Sequence, residues 1–208
     1  MSKKEVYINQ IITTYVRKDL ADLANIKNII KFNNLLKVLA ERNGQLLNIA
    51  TLARTVGLSA VTIEKYLFIL ENTYIIKLVS PFSTNAKVEI SKAPKLFFYD
   101  TGICHFLHLR ELPQAIIGSA FENSIFVELV KKYGSEKINY WRSHSQNEVD
   151  FILKLNDKIL PIEVKYNFSN FNFKSTKGFL ERYKLKDYRV AGLLDHSDDV
   201  HNYYPWEL

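Results

Sequence analysis

Two short alternating stretches, Glu148 to Leu155 and Lys158 to Lys165, are separated only by Asn156 and Asp157, and this spacing constrains the chain more than any other feature. A two-residue turn of that composition closes a β-hairpin and fixes its register. Leu155 is then expected opposite Lys158, Leu153 opposite Leu160, Asp150 opposite Glu163 and Glu148 opposite Lys165, with paired Cβ atoms roughly 4.5 to 5.5 Å apart. Alternation puts Glu148, Asp150, Glu163 and Lys165 on one face and Val149, Phe151, Ile162 and Val164 on the other. A four-residue loop with the same midpoint keeps this pairing, whereas a bulge shifts it. Pro161 removes one ladder donor and marks a place for such a bulge.

Two carboxylates facing each other across a sheet repel, so the pair Asp150 and Glu163 asks for a cation. Carboxylate and water oxygens suit Mg2+ or Mn2+ better than zinc. Lys165, two residues beyond Glu163, brings an ammonium beside that ion, where it can stabilise developing negative charge or position a water. The combination suits hydrolysis of a phosphodiester. Lys165 paired with Glu148 or Glu163 as a surface salt bridge is the plainer alternative.

Around the hairpin the pattern is helix, three strands, helix, strand. The first helix runs from Gly118 to Tyr133, with Phe121, Ile125, Phe126, Leu129 and Val130 at helical spacing. Strands are expected at Ile138 to Arg142 and in the two hairpin arms. A helix from about Asn172 to Leu185 and a strand from Tyr188 to Leu194 follow.

The amino-terminal half has another rhythm. Val6, Ile8, Ile11, Ile12, Tyr15 and Val16 predict an opening amphipathic helix, and Lys31 to Arg42 a second one ending at Asn43-Gly44. Ile49 to Val56, a turn at Gly57-Leu58 and a helix from Ser59 to Asn72 give helix-turn-helix order. Strands at Tyr74 to Val79 and Lys95 to Tyr99, joined by a polar loop from Pro81 to Ser91, add a wing. In a winged helix the second helix of the pair can read DNA, which nominates Ser59, Thr62 and Lys65; a structural or protein-binding role is the equal alternative. Residues 1–99 are thus one expected domain, 100–117 a helical connector and 118–208 a second domain.

Composition enters at three points. The formal net charge of +6 falls almost entirely in residues 1 to 90, compatible with a phosphate-bearing partner. Cys104 is the only cysteine, which excludes an intrachain disulfide and a cysteine-based zinc site. No apolar run is long enough to span a membrane and the start lacks a signal peptide's apolar core, so no membrane partner is expected and the expected compartment is the cytoplasm. His105 and His108 are spaced for a metal but lack further ligands nearby, so packing or surface roles are expected.

Glu122 on a helix, then Asp150, then Glu163-Val164-Lys165 on successive strands resembles the signature of the PD-(D/E)XK, or restriction-endonuclease-like, nuclease superfamily. More narrowly, Lys95 to Gly102, Gly118 to Asn123, Tyr140-Trp141-Arg142 with Glu148 to Phe151, and Pro161 to Lys165 resemble the uncharacterised carboxyl-terminal domain of archaeal-type AAA ATPases. The resemblance implies a winged helix-turn-helix followed by an αβββαβ nuclease-like domain with a mixed sheet, α+β and α/β in class. It also implies a Mg2+-dependent deoxyribonuclease or DNA-processing module. Asp150 and Glu163 would hold the metal, Lys165 would serve catalysis, and Glu122 would complete the acidic site. Arg142 could contact phosphate, or be a strand-end surface charge. The partners implied are DNA and an ATPase domain in cis or in trans; the rival function is a non-catalytic DNA- or protein-binding module that couples the winged helix to an ATPase. No G-x-x-x-x-G-K-S/T loop occurs, so ATP binding is not expected of this chain itself.

Overall fold

A computed structural model describes residues 2–23, 26–83, 93–113, 115, 118–143, 145–156 and 158–208. They form a mixed α and β architecture of two compact units, one comprising residues 1–78 and 96–116 and the other residues 79–95 and 117–208. The expected division at about residues 99 and 117 differs in two respects: the stretch 79–95 belongs with the carboxyl-terminal unit, and the expected connector, up to residue 116, belongs with the first unit.

The first unit is helical with a small sheet. Helix α1 (Lys3–Ile11) is capped by Ser2, whose hydroxyl accepts from the Glu5 N–H while Glu5 returns to the Ser2 N–H. Wider π-helical turns (Ile12–Asp19) carry it into α2 (Leu20–Leu23). The buried stripe is Ile12, Val16 and Leu20, four residues apart; Val6, Ile11 and Tyr15, expected on the apolar face, are exposed. Helix α3 (Ile29–Glu41) buries Phe32, Leu35, Leu36 and Leu39. Helices α4 (Ile49–Val56) and α5 (Ala60–Asn72) are joined through Gly57, whose φ of 69° is left-handed and favours glycine. Strand β1 (Ile76–Val79) pairs with β2 (Lys95–Phe98), and α6 (Thr101–Leu109) follows, N-capped by Asp100. Most of the expected loop, residues 84–92, and the end of the expected connector, at 114, 116 and 117, lie outside the described residues.

The second unit is built on a five-stranded sheet in the order β3-β4-β5-β6-β7, with β3 (Ile138–Arg142), β4 (Glu148–Leu155), β5 (Lys158–Val164), β6 (Arg189–Ala191) and β7 (Asn202–Tyr203). The first three strands are antiparallel and the last three parallel, so the sheet is mixed. Helix α7 (Ser119–Tyr133) covers one face, where Phe126 stacks on Phe151 at 6.3 Å. Helix α8 (Phe173–Tyr183) packs Phe179 with Trp141, Val149 and Ile152. The strand expected over residues 188–194 shortens to three residues, and β7, too short to show periodicity, was not anticipated.

The hairpin register holds as expected from Leu155↔Lys158 through Phe151↔Ile162. Asp157 lies outside the described residues. Pro161 sits opposite Ile152 with no bulge there. The irregularity lies instead between β3 and β4, where Asp150 and Phe151 together oppose Tyr140. Such a bulge turns the strand and changes which side its residues face. Strict alternation therefore fails: Val149 and Ile152, of opposite parity, share one cluster with Phe179. Beyond Phe151↔Ile162 the ladder stops, so the expected pairings Asp150↔Glu163 and Glu148↔Lys165 do not form; Glu148 lies opposite Arg142.

Candidate active site

Four elements of the second unit bring acidic and basic side chains together. Glu122 stands in the first turn of α7, where the helix dipole favours a carboxylate. The turn begins at Gly118, whose φ of 58° and ψ of −133° suit only glycine. Asp150 lies in the bulge of β4, and its Oδ2 accepts the Val164 N–H at 2.8 Å. Glu163, 4% exposed, accepts from Thr176 Oγ1 of α8 at 3.0 Å. Lys165, just past β5, puts its Nζ 3.1 Å from Glu163 Oε2 and 3.6 Å from Asp150 Oδ2.

All four expected catalytic residues thus belong to one cluster, though by a different route from the one the hairpin implies. Asp150 reaches Glu163 through the shared Lys165 and through Val164, rather than as a ladder partner. Their charges act on one another. Burial first, then Asp150, pushes the Glu122 carboxyl up to about 7 against the partial relief of Lys95. Burial, then Asp150, likewise pushes Glu163 up to about 7, with Lys165 and Thr176 opposing. Burial lowers the Lys165 ammonium, but Asp150, Glu163 and Glu122 outweigh it and hold its pKa above the usual value. Divergent pKa values in a buried carboxylate–lysine group are a mark of functional sites.

Asp150 and Glu163 are the residues that could hold a magnesium or manganese ion. Asp150 and Glu163 offer oxygens from two carboxylates, the number such ions commonly take while keeping several waters. Burial and repulsion disfavour the ionised form of both glutamates, and a divalent ion beside them would favour it. Among the described residues, no three His, Cys, Asp or Glu side chains gather into a ready metal cage. Two carboxylates would suit a water-rich ion better than a closed zinc site.

Two participants escaped the sequence. Lys95 at the start of β2 has its Nζ 2.5 Å from Glu148 Oε1 and 3.1 Å from Glu122 Oε1. Its only signal is a lysine opening an otherwise apolar strand, Leu96-Phe97-Phe98. Thr176 carries no signal beyond its helix. Arg142, a third of its side chain exposed, has Nη1 3.5 Å from Glu148 Oε2 and bonds to Gln146.

The expected DNA-reading residues lie elsewhere, on the first unit. Ser59 caps α5 by accepting the Thr62 N–H at 3.1 Å, and the two hydroxyls are 2.7 Å apart. Lys65 is exposed, with exposed Glu64 beside it. Val61 and Phe68 on the same helix are 74% and 68% exposed. His105 lies on α6, where burial, then His108, lowers its pKa, in keeping with a packing role.

The fold and cluster define a mixed α and β protein whose second unit carries a buried carboxylate–lysine site. Residues 1–114 match the model of a domain of unknown function, DUF8612, and the chain belongs to that family. Residues 117–202 match a further domain of unknown function, DUF4143. An uncharacterized protein of Mycobacterium tuberculosis is 26% identical over 161 residues, 74% of this chain and 36% of that protein. An uncharacterized protein of Haemophilus influenzae is 27% identical over 168 residues, 78% of this chain and 41% of that protein. The chain therefore spans less than half the length of either relative. No solved structure matches it. No helix among the described residues is long and apolar enough to cross a membrane.

Proposed function

We propose that the chain carries a Mg2+- or Mn2+-dependent DNA nuclease or DNA-processing module and works as the carboxyl-terminal part of an AAA-type ATPase. In this reading residues 118–208 are a restriction-endonuclease-like domain and the earlier residues a winged helix. One observation carries it: Lys165 lies within 3.6 Å of both Asp150 and Glu163, while burial and Asp150 push Glu163 up to about 7. A divalent ion beside Asp150 and Glu163 would offset the repulsion that raises Glu163.

The residues have separate tasks. Asp150 and Glu163 bind the ion, which when present supplies Lewis acidity and a water of lowered pKa. Thr176 orients Glu163, and the Val164 N–H orients Asp150, so neither carboxylate needs to reorganise as charge builds. Lys165 holds its proton and presents a cation toward the developing charge on phosphate. Glu122 adds negative charge from α7 and favours the ion's retention. Coupling to an ATPase rests on the motif resemblance.

A different partner for the first unit has its own support. Helix α5 exposes Val61 and Phe68 and sets Glu64 beside Lys65, a face poorer in phosphate-binding groups than a DNA-reading helix needs. That favours a protein partner for α5, with DNA handled at the acidic site.

Plasmid and linear DNA incubated with Mg2+ or Mn2+ test the main reading. Cleavage that disappears in Glu163→Ala is expected. No cleavage by the wild type, or equal cleavage by the variant, would overturn it. A binding titration across salt concentrations tests DNA affinity, which should fall with salt in proportion to the phosphates neutralised.

A further inference from the structure

Lys95 is 3% exposed, and a lysine so buried is strongly destabilising unless paired. It opens β2 just before Leu96, Phe97 and Phe98, which are fully buried. Its ammonium meets Glu148 Oε1 of β4 at 2.5 Å and Glu122 Oε1 of α7 at 3.1 Å. Tyr140 of β3 lies beside it, ring centroid 5.9 Å from Nζ, with its hydroxyl donating to the Ala93 carbonyl at 2.5 Å. Asp150 acts electrostatically on the same ammonium. One cation from outside the residues 117–202 thus joins carboxylates from a helix and a strand.

Charge at the cluster makes this arrangement informative. Glu122, Glu148, Asp150 and Glu163 face Lys95, Arg142 and Lys165. With Glu122 and Glu163 ionised, above about pH 7, these seven groups carry one net negative charge, which favours one divalent ion over two. Phosphodiester hydrolases that use two ions hold them roughly 3.5 to 4 Å apart, each among carboxylates. Here Glu122 and Glu148, the two carboxylates of the cluster not assigned to the first ion, are bridged by Lys95.

We infer that Lys95 is a positioning residue of this site, a tethered cation that substitutes for a second divalent ion and limits the site to one. The inference rests on the metal-dependent reading above. It predicts a sign that a merely structural lysine would not produce: removing it should increase the site's appetite for cations.

Mn2+ binding to the full chain, followed by calorimetry and by the electron paramagnetic resonance of free Mn2+, tests this. Wild type should bind one ion. Lys95→Met should bind Mn2+ about tenfold tighter, or take up a second ion, because one opposing charge is gone. Without metal it should melt below wild type, and Mn2+ should raise its melting temperature more. A folded Lys95→Met with unchanged or weaker Mn2+ affinity overturns the inference. If Lys95→Met does not fold, Lys95→Arg decides: the guanidinium keeps the charge, so affinity within about threefold of wild type is expected, and a larger change overturns the inference. Wild-type protein that takes up no Mn2+ overturns the metal-dependent reading beneath it.

Discussion

Replacing Glu163 by glutamine keeps the shape of the side chain, keeps an oxygen for the Thr176 hydroxyl, and removes one charge. Its effect on the metal-free protein follows from how the carboxyl is held. Burial first, and Asp150 second, lift Glu163 from 4.5 to about 7, with the residue 4% exposed. A raised carboxyl binds its proton more tightly folded than unfolded, so the associated stability is full below pH 4.5 and is lost as pH climbs through 7. By pH 8 the loss is on the order of 3 kcal/mol, whereas at pH 5 it is below about 1 kcal/mol. Glu163→Gln should therefore stabilise the EDTA-treated protein by on the order of 3 kcal/mol at pH 8 and by little at pH 5. Urea melts of both proteins at both pH values, repeated with Mg2+, measure this. Mg2+ should close the gap at pH 8 by stabilising wild type alone, since only wild type gains a ligand. A variant less stable than wild type at pH 8, or a gap equal at the two pH values, would refute the account of Glu163 as a strained anion awaiting a cation.

Further substitutions probe other parts of the site. Lys165→Met should reduce cleavage by about a hundredfold or more while Mn2+ affinity holds or rises, which separates catalysis from ion binding; lost ion binding would point to a structural lysine. Gly118→Ala meets no steric neighbour, but its φ of 58° makes any side chain costly by roughly 1 to 3 kcal/mol, and an unchanged thermal melt would contradict that. Gly192→Ala would bring a Cβ within 2.7 Å of the Lys165 carbonyl and 2.9 Å of the Phe168 ring, so a loss of about 1 to 3 kcal/mol and a displaced Lys165 are expected, read by melting and by Mn2+ affinity. Phe68→Ser, at a 68% exposed position, should leave stability within about 0.5 kcal/mol of wild type, and a larger loss in a thermal melt would show that Phe68 is packed.

What the sequence made legible follows the range of the forces involved. The register of the hairpin was readable because a two-residue connection leaves few choices, and five pairs agree with it. It failed at Asp150 because the bulge there is set by β3, where Tyr140 faces two residues of β4. No local pattern in residues 148–155 encodes that neighbour. Helix ends were readable to within a few residues from caps such as Ser59 and Asn172, whose side chains accept from the first turn. The opening helix misled because apolar residues at helical spacing do not say which stripe finds a partner. Ile12, Val16 and Leu20 do; Val6, Ile11 and Tyr15 do not. Lys95 was beyond reach, since its carboxylates lie 27 residues away on α7 and farther still on β4.

The bulge also explains why Asp150 can serve two masters. Past Ile162, β5 no longer pairs with β4, while Glu163 and Val164 continue in parallel with Val190 and Ala191 of β6. The Val164 N–H is left on the side where β4 has turned away, and a backbone donor there needs an acceptor. Asp150 Oδ2 supplies it at 2.8 Å, so the carboxylate completes the ladder with its side chain instead of its main chain. Asp150, fixed in this way, acts electrostatically on both Glu122 and Glu163, and its charge raises the pKa of each. A regular hairpin would have satisfied Val164 through the backbone and left Asp150 free to turn toward water. The same interruption that breaks the expected pairing is therefore what ties Asp150 to Val164 and keeps its charge acting on Glu122 and Glu163.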